Sequence, residues 1–351
     1  GNTQYFSSNT DNEELGLNGE ISPTATGFTT NTSESDIIGG TFIYMAIRRG
    51  PLAEPTSATD VFSVHTGNTD STSTFYTSGF PVDFGWEKTR GDTWDHFSFS
   101  RLQGPGKTLR LNATTAEGQF GAGPVLDSNT KFTGTGGIGD QTSNGGHVFF
   151  AWKRAPSYFD VVAYSGTGSA RTVSHNLGAV PEMIWVKTRS TTGRWAVYHG
   201  DLGNTKYLFL NEADAVGTFD AWNNTTPTSS VFSLSSWSTV NDASRTYIAY
   251  LFATVAGVSK VGSVSHSFNS TTNVDCGFSS GARFVMVKST ASGAWRVWDS
   301  TRGIVAGNDP YFHWDDDDVE ITNGDLIDPY SGGFTLSSNF YTDNYIFYAV
   351  A

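Results

Sequence analysis

A single cysteine, Cys276, stands in 351 residues, so the chain can build neither an internal disulfide framework nor a multi-cysteine zinc site. A small apolar thiol inside a core is its expected role. Charge is sparse and one-sided, with 34 acidic against 21 basic residues and a formal net charge of −13. That field repels phosphate backbones and anionic lipid, which argues against nucleic acid as a partner. Long apolar runs are missing as well. The longest, around Tyr247 to Val258, is interrupted by Thr254 and Gly257 and falls short of the ~18 to 20 residues a membrane helix needs, so no membrane span is expected. Helix formers are scarce. Thr, Ser, Gly, Val and a 14% share of aromatics fill the chain instead, a mixture suited to half-buried strands joined by tight turns. The first residue is Gly1, with no charged and apolar leader behind it, which reads as a processed chain or part of a longer one.

Internal repetition organises the rest. An aromatic strand recurs at Phe42 to Ala46, Val148 to Ala151, Tyr247 to Leu251 and Tyr345 to Ala349, and aligning Ala46, Ala151, Leu251 and Ala349 gives spacings of 105, 100 and 98 residues. A lone Phe in a Thr/Ser/Gly setting precedes each one: Phe28, Phe132, Phe232 and Phe334, spaced by 104, 100 and 102. A strand ending in Lys, then a turn and a Trp, occurs three times: Lys88 with Trp94, Lys187 with Trp195, and Lys288 with Trp295. The short Gly-containing loops between them are hairpin signals. The expected fold class is all-β, as tandem antiparallel β-sandwich-like repeats of about 100 residues. The units are 1–50 (a partial repeat, second half only), 51–154, 155–254 and 255–351. Linkers as short as Ala155-Pro156-Ser157 predict neighbouring units that pack, giving a stiff or semi-stiff rod.

Several segments, among them Phe159-Asp160-Val161-Val162, Pro181 to Lys187, Gly203 to Asn211, Thr246 to Ala253 and Gly303 to Tyr311, resemble a repeat domain of tail-fibre and other virion structural proteins of aquatic bacteriophages. The likeness is stronger over 156–351 than over 52–154. It implies an extracellular or virion-surface structural role and brings no catalytic residue with it.

Few motifs point to chemistry. The run Asp315-Asp316-Asp317-Asp318, with Glu320 nearby, offers oxygen ligands to Ca²⁺ but lacks the alternation with Gly of an EF-hand, so a solvated acidic loop is the plainer reading. Gly134, Gly136 and Gly139 satisfy G-x-G-x-x-G, yet a strand rather than a helix follows, and a dinucleotide site is rejected. The seven histidines show no close-spaced ligand pair, and no serine elbow or paired carboxylate marks catalysis. No cofactor is expected. The recurring Trp94, Trp195 and Trp295 read as core packing, whereas Trp222, Trp237, Trp298 and Trp314, each confined to one unit, are better placed for a specific contact.

The sequence therefore points to a non-enzymatic structural subunit of an extracellular fibre or filament. The alternative is an adhesion module for host-surface glycans. Residues 1–50 lack the opening strand and the Lys-turn-Trp hairpin, and half a core leaves open edges. Completion by another subunit is expected, hence a homo-oligomer formed through the N-terminal partial repeat.

Overall fold

The computed structural model describes residues 52–67, 76–119, 123–134 and 146–351, together with the backbone of four short strands, β1 (Thr3–Tyr5), β2 (Leu15–Leu17), β3 (Ile21–Pro23) and β4 (Phe28–Thr30). These four form two antiparallel hairpins, β1 with β2 and β3 with β4. Phe28 begins β4, while the predicted strand at Phe42 to Ala46 lies outside the described residues.

Three sets of strands follow. The first comprises β5 (Phe62–Gly67), β6 (Tyr76–Thr77), β7 (Phe84–Thr89), β8 (Phe97–Ser100), β9 (Lys107–Arg110), β10 (Gly118–Gln119), β11 (Lys131–Phe132) and β12 (His147–Trp152). The second comprises β13 (Phe159–Ser165), β14 (Arg171–Ser174), β15 (Met183–Thr188), β16 (Ala196–His199), β17 (Lys206–Phe209), β18 (Gly217–Thr218), β19 (Val231–Leu234) and β20 (Thr246–Phe252). The third comprises β21 (Ser259–His266), β22 (Thr272–Asp275), β23 (Phe284–Ser289), β24 (Arg296–Asp299), β25 (Tyr311–His313), β26 (Ile327–Tyr330), β27 (Gly333–Leu336) and β28 (Asp343–Val350). Helix among the described residues is limited to α1 (Ser238–Asn241) and the 3-10 turns Ala58–Asp60 and Gly200–Leu202. No helix among them is long and apolar enough to cross a membrane.

Every pairing among the described residues is antiparallel, and one strand order recurs. The large sheets run β10-β9-β8-β7-β12-β5, β13-β20-β15-β16-β17-β18 and β21-β28-β23-β24-β25, and the small ones β11-β6, β14-β19 and β22-β27-β26. The first and last strands of each set are hydrogen-bonded neighbours, so each set closes on itself before the chain moves on. Phe132, Phe232 and Phe334 hold the same place, on the small-sheet strand opposite Tyr76, Val173 and Val274.

The large sheets are buried on both faces, which is why their central strands read as unbroken apolar runs rather than alternating ones. Along β20, Ile248, Tyr250 and Phe252 enter one core while Tyr247, Ala249 and Leu251 enter another. Along β28, Ile346, Tyr348 and Val350 divide from Tyr345, Phe347 and Ala349 in the same way. One parity in each set faces that set's own small sheet. The other faces a single core common to all three, where Phe84, Trp86, Trp185, Tyr250, Phe284 and Trp314 meet. Ring centroids there lie 4.4 Å apart for Phe84 and Tyr250 and 5.2 Å apart for Trp185 and Trp314.

The expected rod is therefore corrected. The third set returns to the first, with Trp86 and Trp314 at 5.0 Å, and the three sets enclose one centre. The short connections Ala155 and Val255, each bridged to Phe159 and Ser259, turn the chain around that centre instead of extending it.

Candidate functional site

Each central hairpin, β7–β8, β15–β16 and β23–β24, carries a wholly buried lysine near its turn: Lys88, Lys187 and Lys288. A buried ammonium needs oxygen acceptors, and here they are backbone carbonyls, one always supplied by the neighbouring set. Lys187 Nζ donates to Thr188 O at 2.8 Å and Thr114 O at 3.4 Å. Lys288 Nζ donates to Ser289 O, Ala291 O and Asp214 O at 2.8, 3.1 and 2.9 Å. Lys88 Nζ donates to Asp92 O, Trp94 O and Asp317 O at 2.9, 2.7 and 3.0 Å. Burial pushes the three ammonium groups down from the usual lysine value, to about 8 for Lys88, about 7 for Lys187 and about 8 for Lys288.

Backbone bonds repeat the pattern at the three seams. Glu117 N donates to Arg189 O at 2.8 Å, Val216 N to Thr290 O at 3.0 Å, and Glu320 N to Arg90 O at 2.8 Å. Two seams add a charged pair, Arg189 with Glu117 at 2.8 Å and Arg90 with Glu320 at 2.7 Å. The seam between the second and third sets has Thr290 and Val216 in those places. Arg302, fully buried, also reaches Glu320 at 2.9 Å and so ties the closing seam into the third set.

The tryptophans belong to the same seams, with one correction. Trp195 and Trp295 are 0% and 1% exposed, and their indole N–H groups donate across the seam to Arg110 O at 2.8 Å and Phe209 O at 2.9 Å. Trp94 is 37% exposed and is not their counterpart. The backbone N–H of Trp195 donates to Asn211 Oδ1 and that of Trp295 to Asp315 Oδ1, and the equivalent bond in the first set runs from His96 N to Asn112 Oδ1. The buried His96 ring, beside Trp86 at 5.3 Å and Phe312 at 5.9 Å, takes the recurring place. Burial holds it well below the usual histidine value.

The acidic loop is built into this framework. Asp315 caps the Trp295 backbone and Asp317 supplies the carbonyl to Lys88. Desolvation raises the Asp315 carboxyl. Of the four aspartates weighed as weak Ca²⁺ candidates, Asp316 and Asp318 come together, and they do so with His313, whose Nδ1 lies 3.1 Å from Asp316 Oδ2. One imidazole with two carboxylates is a set for a transition-metal ion more than for Ca²⁺, which prefers six or more oxygens. Cys276 is buried, and burial pushes its thiol up to about 12, as befits an inert core residue. Gly136 and Gly139 lie outside the described residues.

Two surface features remain. A cleft of about 350 Å³ opens at the second seam between Glu182 and Asp201 on one side and Lys260, Asn273 and Asp275 on the other. At the first seam the corresponding place is taken by Arg154 and Asp160, paired at 2.8 Å. The second feature is a cluster of rings on the second set. Trp237 lies 5.1 Å from Tyr207 and 5.0 Å from Phe219, with Phe219 47% exposed. Of the four tryptophans singled out by sequence, Trp222, Trp298 and Trp314 are core residues and Trp237 alone reaches the surface. Tyr207 lies in a strand that the sequence marks, but nothing local joins it or Phe219 to Trp237, since their contact is made across a loop.

Compared with known proteins, residues 57–351 match the family model described as a domain of unknown function, DUF7483. No curated protein and no solved structure matches the chain.

Proposed function

This chain belongs to the DUF7483 domain family, and from that premise we propose that it is a non-enzymatic structural subunit of an extracellular fibre or virion-surface assembly, with its three sets of strands acting as one rigid head. The observation that supports this reading is the closing seam, where Lys88, Arg90 and His96 meet residues 312–320 much as the other two seams are made. The hairpin surfaces that join one set to the next are then all used inside one molecule. A closed ring has no free copy of that surface through which to grow. Linkage into a fibre therefore falls to other surfaces, residues 1–50 first among them. Negative-stain micrographs of the full chain and of a variant lacking residues 1–50 test the proposal. Compact heads joined end to end by the full chain, and separate heads from the variant, are expected. Separate heads from both, at every concentration tried, overturn it.

A further inference from the structure

We propose that Tyr207, Phe219 and Trp237 form a binding site for a neutral pyranose sugar. The inference goes beyond a structural role and does not depend on it. The rings come from β17, from the residue after β18 and from the turn before α1, and they meet at interplanar angles of 60° for Tyr207 with Trp237 and 51° for Phe219 with Trp237. They make an open wedge, with Phe219 at its exposed rim. A pyranose presents C–H faces that pack on aromatic rings and hydroxyl groups that need polar partners at the edge. Both are at hand. Thr205, on the same strand face as Tyr207, and Ser238, next to Trp237, are both exposed and carry hydroxyl groups.

The wedge is held in place before any ligand arrives. Trp237 N donates to Ser235 Oγ at 3.1 Å, and Trp237 O accepts from Val240 N and Asn241 N at 3.0 and 2.8 Å. The Asn241 side chain is buried and donates to Ser235 O and Ser169 O at 2.8 and 2.7 Å, which pins the turn. Phe219 N donates to Thr205 O at 3.1 Å. Rings fixed in this way lose little freedom on binding.

Trp237 packs against the core of its own set, but the turn and the strand that carry these rings are built without them elsewhere. Asn339 makes the same turn in the third set, its N–H donating to Ser337 Oγ at 3.2 Å as Trp237 donates to Ser235. Thr108 stands opposite Gly118 as Tyr207 stands opposite Gly217. Among the described residues this surface cluster of three rings occurs in one set. The net charge of −13 opposes an acidic sugar.

A printed array of neutral oligosaccharides probed with the full chain tests the site, followed by titration of the best binder against variants. Wild type is expected to bind. Trp237→Ala and Phe219→Ala are expected to weaken binding by at least about tenfold, while Trp237→Phe retains part of it and Tyr341→Ala, an exposed ring elsewhere, leaves it unchanged. Phe219→Ala covers the case in which Trp237→Ala fails to fold. No binding of any neutral sugar by wild type, or undiminished binding by both alanine variants, overturns the proposal. A wild-type dimer that Phe219→Ala converts to a monomer without any sugar binding also overturns it, since the cluster is then a contact between copies.

Discussion

At the scale of single residues the seams set the energetics. Trp195 and Trp295 each fill a core and satisfy a carbonyl of the neighbouring set, so truncation removes both packing and a hydrogen bond. Trp195→Ala is expected to cost about 3 to 5 kcal/mol in chemical denaturation, and Trp94→Ala to stay within about 0.5 kcal/mol of wild type. Equal effects of the two would contradict the exchange of Trp94 for His96. The buried lysines make a second prediction. Their values in the fold lie below the ordinary 10.5, so between about pH 7 and pH 10 the unfolded chain binds more protons than the folded one, and stability rises with pH. Burial lowers His96 and also lowers His199 to about 4. For these two, stability is lost as pH falls from the ordinary histidine value of 6.5 toward the folded one. Above pH 10 the buried Tyr250 and Tyr348 hydroxyls, raised by desolvation, reverse the slope, because the unfolded chain then loses protons that the fold retains. Melting temperature is expected to climb from pH 7 to 10, and Lys187→Met to flatten that climb. A flat wild-type profile would show that the seam lysines keep their ordinary affinity for protons.

At the scale of elements, the central hairpins join neighbouring sets and the last strands divide their side chains between two cores. Arg90 and Glu320 span the closing seam with a bidentate geometry, Arg90 Nε donating to Glu320 Oε1 at 3.1 Å and Nη2 to Oε2 at 2.7 Å. A double-mutant cycle on this pair is expected to return a coupling of about 1 kcal/mol, and a pairing of Arg90 with Asp318, which lies outside this geometry, to return almost none. Much of this level was legible in the sequence. The hairpins, the Phe strands and the closing aromatic strands all follow from local spacing, and they fall where β7–β8, β15–β16, β23–β24 and β12, β20, β28 lie. The short strands β6, β14 and β22 were not legible, because two to four residues carry too little periodicity and their pairing with β11, β19 and β27 is made at long range.

For the whole molecule, the shared core makes the three sets interdependent. Residues 155–254 alone would expose Trp185, Tyr250 and Phe252 to water, three side chains that are wholly buried in the ring. That fragment is expected to lack native near-ultraviolet circular dichroism, and the full chain to unfold over residues 52–351 in one transition. An isolated fragment with its own sharp melting curve would show that the common core is dispensable. Arrangement of independent units along a rod, the expectation from short linkers, would have produced that outcome. The unbroken apolar parity of β20 and β28 was the sign against it, since a lone sandwich leaves one face of each sheet in water.

The sequence by itself determined the antiparallel all-β class, the recurring strand markers and the place of Cys276 in a core. These are consequences of composition and of patterns within a few dozen residues, where side-chain spacing and charge act directly. Tertiary structure alone decided that the sets close on one another, that His96 replaces Trp94, that three lysines are buried against carbonyls, and that Tyr207 and Phe219 meet Trp237. Each of those depends on contacts between residues far apart in the chain, up to 230 positions for Arg90 and Glu320. Which face of a strand meets which neighbour is set by the packing of the whole core, not by the residues adjacent to it.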